Sequence, residues 1–327
     1  MNLWRAAADL ARAGTPGALA TVARTRGSTP VPAGTKMLVG ASARLAGTVG
    51  GGCVEADVIA VGLDVLARGR PALVTHHLNA DLAGDLGLSC GGTIDVFVEP
   101  LVAAPGYVAT LDAAARAEHG IVRTAIDWTA GPVKTFEPLD APGAGGRGEG
   151  GDGRAATLSR DRRFVIERLT APPRVLVFGA GHVGAAIVRA AAAGGFRVAV
   201  VDDRPEFADP ARFPPDVAVL AATPPDALAR VRLTARDAVV IATRGHRHDA
   251  EILALVAGSA AGYVGMLGSR RKRIVVTKGL ARVGVPRNGL ARVRVPIGLD
   301  IGAVTPEEIA VSVVAELVVW RRSRRRA

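Results

Sequence analysis

Residues 174–184 read Arg-Val-Leu-Val-Phe-Gly-Ala-Gly-His-Val-Gly, and their order decides the fold. An apolar run of strand length ends directly in G-x-G-x-x-G, and the Gly-Ala-Ala-Ile-Val-Arg-Ala-Ala-Ala-Ala that begins at Gly184 continues as a helix. In that setting the first glycine permits a tight turn, the second lets phosphate oxygens approach backbone N–H groups, and the third lets the helix pack on the strand. The next apolar run, Arg197 to Val201, ends at Asp202-Asp203, where a carboxylate reaches a ribose hydroxyl about 20 residues beyond the glycines. Gly179, Gly181, His182, Gly184 and Asp202 are therefore candidate ligand-binding residues, with His182 either lining the ligand or capping the helix. The plainer reading is that the glycines only shape the turn, since a fold does not establish a function. No hydride-transfer constellation accompanies them.

Downstream, strand-like and helix-like segments alternate through Asp237–Thr243 and Gly262–Leu267, which predicts a parallel sheet covered on both faces by crossover helices. Thr243-Arg244-Gly245-His246-Arg247-His248-Asp249 falls at the carboxyl end of that sheet, where ligands of such folds collect. His246 is a candidate there for orienting a ligand; metal binding by His246, His248 and Asp249 matches no familiar spacing, and helix capping is the simpler role for Asp249. Gly265 to Arg273 couples a glycine turn to a basic helix start, which suits an anionic group. The last helix is marked by Thr305 as N-cap, Pro306 and Glu308, with Ile309, Val313, Leu317 and Trp320 as its buried stripe.

Upstream, short strands are expected at 19–24, 36–39, 44–49 and 93–99, the last placing Ile94, Val96 and Val98 on one face. After Cys53 the period changes, and Val54, Val58, Val61 and Val65 fall on one helical stripe. Gly50-Gly51-Gly52 therefore leads a strand into a helix, exposing N–H groups where the helix dipole favours an anion. The same position favours a reactive thiolate at Cys53, with Glu55 in the first turn. Cys90, in Gly87-Leu88-Ser89-Cys90-Gly91-Gly92, sits in a second glycine turn, and the two turns suggest one shared pocket. A free cysteine is also commonly a small buried hydrophobe. His76 and His77 fall on a strand, where packing or solvent exposure is expected.

The Ala171-Pro172-Pro173 break stops both helix and sheet, which predicts domains at 1–172 and 173–327. The glycine-dense stretch 141–156 reads as a loop within the first, followed by an apolar segment, Phe164 to Leu169, able to pair as a strand. The expected class is α/β: a C-terminal Rossmann-type doubly wound parallel sheet behind an N-terminal mixed α+β domain.

The formal charge is +11, but nine positive charges lie in two clusters, Arg270–Arg273 and Arg321–Arg326, leaving +2 elsewhere. Without interleaved aromatics these clusters do not read as a nucleic-acid surface. No apolar run reaches the ~18 residues of a membrane span, no signal-peptide pattern opens the chain, and two cysteines make no disulfide framework. A cytoplasmic location and a homo-oligomer are expected.

Seven segments together resemble the xanthine dehydrogenase accessory protein family, the XdhC/CoxI group: GSTPVPAGTKMLV from Gly27, GTVGGGCVEADV from Gly47, GLSCGGTIDVFVEPL from Gly87, RVLVFGAGHVG, VAVVDDRPEFA from Val198, YVGMLGSRRKR from Tyr263, and VPIGLDIGAVTPEEIAVSVVAEL from Val295. They span nearly the whole chain in the family's order. The resemblance implies a non-redox helper that binds molybdenum cofactor, works with a cysteine desulfurase to exchange a molybdenum oxygen for sulfur, and delivers the product to a molybdenum hydroxylase client. It makes Gly50, Gly51, Gly52, Cys53, Glu55, Cys90, Gly91 and Gly92 cofactor-handling positions, with Cys53 and Cys90 near the metal. The cysteine at position 53 is similar to the CoxI branch, so the client is of xanthine dehydrogenase or carbon monoxide dehydrogenase type. The alternatives are an oxidoreductase using NAD(P) at the Rossmann-type site, and a maturation scaffold that binds no ligand.

Overall fold

The computed structural model describes residues 2–41, 43–78, 91–139 and 155–323, and the chain divides into two units, Met1–Ala171 and Pro172–Ala327. The first begins with helix α1 (Leu3–Arg12), capped by Asn2, whose side-chain oxygen accepts from the N–H groups of Trp4 and Arg5. Strands β1 (Gly17–Arg26), β2 (Lys36–Gly40) and β3 (Arg44–Gly47), helix α2 (Gly52–Arg68), then β4 (Ala72–His77) and β5 (Thr93–Pro100) follow. The five strands form an antiparallel sheet in the order β3-β2-β1-β5-β4.

Alternation along β1 and β5 sends successive side chains to opposite faces. Ala18, Ala20, Val22, Ile94, Val96 and Val98 meet Val54, Val58 and Val65 of α2. On the other face Leu19 and Leu38 pack with α1 and with α3 (Pro105–Arg116). Val61 contributes only a partly buried side chain to the α2 stripe. Strands β6 (His119–Ala125), β7 (Lys134–Pro138), β8 (Ala156–Leu158) and β9 (Phe164–Thr170) form a second antiparallel sheet, ordered β7-β6-β9-β8. The glycine-dense stretch therefore ends before position 156: Ala156 is buried and starts β8, because the ladder to β9 outweighs the local composition. Residues 141–154 of that stretch lie outside the described residues.

Two buried ion pairs tie the sheets of this unit together. Lys36 on β2 pairs with Glu167 on β9, and Lys134 on β7 pairs with Glu99 on β5 at 2.5 Å.

In the second unit β10 (Arg174–Phe178), α4 (His182–Ala193), β11 (Arg197–Asp202), β12 (Ala218–Ala221), α5 (Pro224–Arg230), β13 (Asp237–Ile241), α6 (His246–Val256) and β14 (Tyr263–Met266) alternate as expected. The sheet is wholly parallel in the order β12-β11-β10-β13-β14. Val175, Val177, Val198, Val200 and Val240 face α4 and the last helix, α9 (Pro306–Ser323). Leu176, Phe178, Val239 and Ile241 face the opposite layer, which includes α6 and α7 (Arg270–Arg282). Strands buried on both sides explain why these runs are continuously apolar. A short helix, α8 (Arg287–Ala291), follows α7.

Thr305 and Glu308 exchange side-chain-to-backbone bonds at the start of α9, a capping box. Its buried stripe is Ala310, Ser312, Val313 and Leu317, with Ile309 and Trp320 only partly covered. Trp320 is kept at the edge by its N–H bond to Gly262 O and by the Tyr263 ring.

Candidate functional site

The strand order reverses between β10 and β13, so the carboxyl ends of those strands frame the crevice where doubly wound folds hold ligands. The three glycines of the turn have three separate physical grounds. Gly179 has φ +102°, and a Cβ on it would lie 2.5 Å from the carbonyl oxygen of Ala242, which follows β13. A Cβ at Gly184 would fall 1.9 Å from Gly179 O, so α4 seats directly on the turn. Gly181 has φ −65° and nothing within 4 Å of where its Cβ would be; neither backbone nor packing requires glycine there. The space it leaves adjoins the start of α4, whose N-cap supplies no side-chain bond. His182, the first residue of α4, is exposed.

Asp202 is buried, and both its oxygens are engaged within the chain. Oδ2 accepts from the N–H of Ala180 at 2.7 Å and from Arg204 Nη2 at 2.9 Å; Oδ1 accepts from Arg204 N at 3.1 Å and Nε at 2.8 Å. Burial pushes this carboxyl up, but the bonds from Arg204 and Ala180 outweigh it and hold it below the usual carboxylate range. Arg204 in turn stacks on Phe207, 3.6 Å from the ring centroid. Asp202 thus braces the glycine turn and carries a guanidinium over its oxygens.

His246 opens α6 just beyond β13. Asp249, three residues on, does not cap the helix: its carboxylate accepts from Thr243 Oγ1 at 2.6 Å and pairs with Lys272. His248 is 3.7 Å from Glu251 at the surface. The pair of buried Asp249 with partly buried Lys272 is absent from the sequence reading, although one signal for it exists: Gly268 has φ +155°, and a Cβ there would meet the Lys272 stem at 2.4 Å. That glycine leaves room for the lysine of the basic run to turn back toward β13.

In the first unit Gly50, Gly51 and Gly52 all have positive φ, at +134°, +80° and +57°, a succession that L side chains rarely adopt. Nothing lies within 4 Å of a Cβ on Gly51 or Gly52. Cys53 is exposed on the first turn of α2. Glu55 faces back into the turn, accepting from Thr48 Oγ1, which itself accepts from Gly50 N at 3.2 Å, while Arg44 stands 3.8 Å away. Its role is to close the loop.

Gly91 has open space where a Cβ would go, whereas a Cβ on Gly92 would lie 2.1 Å from Ser28 O, so packing accounts for Gly92. A Cβ on Gly50 would be 3.1 Å from Pro30 Cγ. Both glycine turns therefore touch the same Gly27–Val31 loop, which brings them into one neighbourhood; Cys90 lies outside the described residues. His76, on the face of β4 toward α2, joins this neighbourhood from a strand where sequence pattern alone suggests only packing or exposure. Its Nδ1 is 3.8 Å from Asp57, one helical turn beyond Cys53, and its Nε2 is buried without a hydrogen-bond partner among the described residues. Burial lowers the imidazole pKa, and Asp57 partly offsets the shift. Among the described residues no three His, Cys, Asp or Glu side chains come together as a metal site, and no helix is long and apolar enough to cross a membrane.

Residues 175–317 match the family described as XdhC Rossmann domain, and residues 10–77 match the XdhC and CoxI family. A protein of Bacillus subtilis named as a probable xanthine dehydrogenase component is 28% identical over 93% of each chain. The uncharacterized protein YqeB of Escherichia coli is 30% identical over 97% of this chain, which spans only 46% of YqeB. A crystal structure titled as a xanthine dehydrogenase from Bacillus halodurans superposes with a TM-score of 0.79 at 26% identity, covering 99% of this chain and 97% of the other. With matches in both units and a parallel five-stranded second unit, the chain belongs to the XdhC/CoxI family, with an XdhC Rossmann domain.

Proposed function

We propose that this chain is an accessory factor that binds molybdenum cofactor, assists its sulfuration together with a cysteine desulfurase, and passes it to a molybdenum hydroxylase of xanthine dehydrogenase or carbon monoxide dehydrogenase type. The observation that carries this reading is the Gly50–Cys53 turn. Three left-handed glycines, two of them facing open space, bring free amides and an exposed thiol together at the start of α2.

The donor types suit the group: backbone amides for a phosphate, and a soft sulfur for a metal that favours thiolates. Cys53 is the sulfur donor among the described residues, and Cys90 is proposed beside it. When bound, the cofactor would supply the molybdenum centre on which an oxygen is exchanged for sulfur. The protein's own residues would grip phosphate through amides at 51–53 and present the thiol. The open space beside Gly181 would give a second phosphate access to the start of α4.

The oxidoreductase reading is disfavoured by Asp202, whose two oxygens already accept from Ala180 and Arg204 instead of standing free for a ribose diol. The test is anaerobic mixing with molybdenum cofactor released from a donor enzyme, followed by gel filtration, metal analysis and pterin fluorescence. The wild-type chain should retain cofactor and melt at a higher temperature, since a ligand that binds only the native state stabilises it. Cys53→Ser should retain less. No retained pterin and no thermal shift in the wild type would end the proposal.

A further inference from the structure

Helices α7 and α8 enclose an open groove of about 570 Å³ that belongs to neither glycine site. Its walls carry Arg273, Lys278 and Arg282 from α7 and Arg287 from α8, and Ala281 and Leu290 line it between them. Among the described residues none of the four cations forms an ion pair with a carboxylate, whereas Arg174, Arg204 and Lys272 of the same unit do. Exposed aliphatics lie on the same helix: Ile274 is 53% exposed and Val275 64%. At 100° per residue Ile274 falls in the arc of Thr277, Lys278 and Ala281, and Val275 falls beside Arg282. The outward face of α7 is thus both basic and aliphatic.

We propose that this groove docks an acidic segment of a partner protein, its carboxylates pairing with Arg273, Lys278, Arg282 and Arg287 and an apolar side chain between them resting on Ala281 and Leu290. From Arg273 to Arg282 the helix rises about 14 Å, too long for one phosphate and matched by about four residues of extended chain. A single-stranded nucleic acid would call for aromatic stacking platforms, and α7 and α8 contain none. A second copy of this chain carries the same +11 charge, so self-association through this face is opposed by repulsion. The inference does not rest on cofactor binding, and its failure would leave that reading intact.

The full-length protein is titrated against a fluorescein-labelled peptide of alternating Glu, Asp and Leu, with its Gln/Asn counterpart as control, and anisotropy is read at low and near-physiological salt. The acidic peptide should bind and the neutral one should not, with affinity falling as salt rises. The variant R273Q/K278Q/R282Q/R287Q should bind about tenfold or more weakly with its melting temperature unchanged, because all four side chains are exposed. I274S/V275S should weaken binding several-fold while leaving the salt dependence as it was. Equal peptide binding by the quadruple variant would overturn the proposal. So would tighter, groove-dependent binding of a single-stranded oligonucleotide or of phosphatidylserine vesicles than of the peptide.

Discussion

The Lys36–Glu167 pair permits a prediction whose size follows from burial. The two side chains are 7% and 4% exposed; Lys36 also donates to Thr21 Oγ1 at 2.8 Å, and its ammonium lies 4.3 Å from the Trp4 ring centroid. Burial holds the Lys36 amine below its ordinary value and the Glu167 carboxylate only partly offsets that, so the lysine's charge leans on its partner. Glu167→Gln would leave the ammonium without its direct partner, with Glu99 as the remaining nearby carboxylate, and Lys36→Met would leave the Glu167 carboxylate without its direct partner. Either change should cost about 3–5 kcal/mol, the range for breaking a buried pair from one side. For a unit of this length each kcal/mol moves the melting temperature by about 2–4 °C, so the midpoint should fall by roughly 10 °C.

The double variant Lys36→Met with Glu167→Leu replaces both charges by apolar groups, and by the same reasoning should recover most of that loss. Circular dichroism melts of all four proteins at neutral pH give the coupling, and Trp4 and Trp128 fluorescence reports this unit. The site is within reach of the change, because Lys36 O accepts from Thr48 N at 3.0 Å and Thr48 Oγ1 accepts from Gly50 N. If Glu167→Gln melts within about 2 °C of the wild type, or the double variant is no better than the worse single, the buried-pair argument is wrong.

Gly184→Ala forces a Cβ to within 1.9 Å of Gly179 O and should destabilise the second unit by about 3 kcal/mol in urea titrations, whereas Gly181→Ala should cost about 1 kcal/mol or less, the N-cap preference for glycine over alanine, and impair binding of any phosphate-bearing ligand. Asp202→Asn should cost about 1–3 kcal/mol at neutral pH. Because the folded carboxyl lies below its unfolded value, the stability it contributes is complete above the unfolded pKa and is lost as pH falls through the folded one; the two proteins should therefore converge in strong acid. Burial lowers the His76 pKa, so the unfolded chain takes up its proton first as pH falls below about 6.5. Wild-type melting temperature should drop between neutral pH and pH about 5, and His76→Gln should flatten that component.

The second unit is legible in the sequence because its information is local. Arg174 to Gly184 carries a strand, a turn and a helix start in one contiguous stretch, and continuous apolar runs announce strands buried on both sides. The first unit is harder to read for the opposite reason. Ala156 looks like the end of a glycine-rich loop until β9 pairs with it, and Lys36, Glu99, Lys134 and Glu167 look like ordinary surface charges until two sheets bring them together. The same limit applies within the crevice: position alone makes Asp202 a ribose acceptor, and only the fold shows Arg204 folding back over both its oxygens.

Glycines separate architecture from ligand more sharply than the motif that contains them. At Gly184 and Gly92 a methyl group would strike backbone oxygen at 1.9 Å and 2.1 Å, so those residues are explained by the fold itself and say nothing about a guest. Gly51 and Gly52 are needed for their φ values but also border open space, and Gly181 has neither constraint. In a turn at the carboxyl end of a parallel strand, a glycine that neither φ nor neighbours require leaves room for something from outside the chain, although Gly106 and Gly279, on helices, have the same freedom without such a position. By that criterion Gly181 is the informative residue of the Rossmann turn, and the exposed Cys53 beside Gly52 adds at α2 a chemical group that α4 lacks. Phosphate can be held at either helix start; soft-metal chemistry has its donor only at the first among the described residues, which is why the proposed function is anchored on Cys53 and not on the dinucleotide motif.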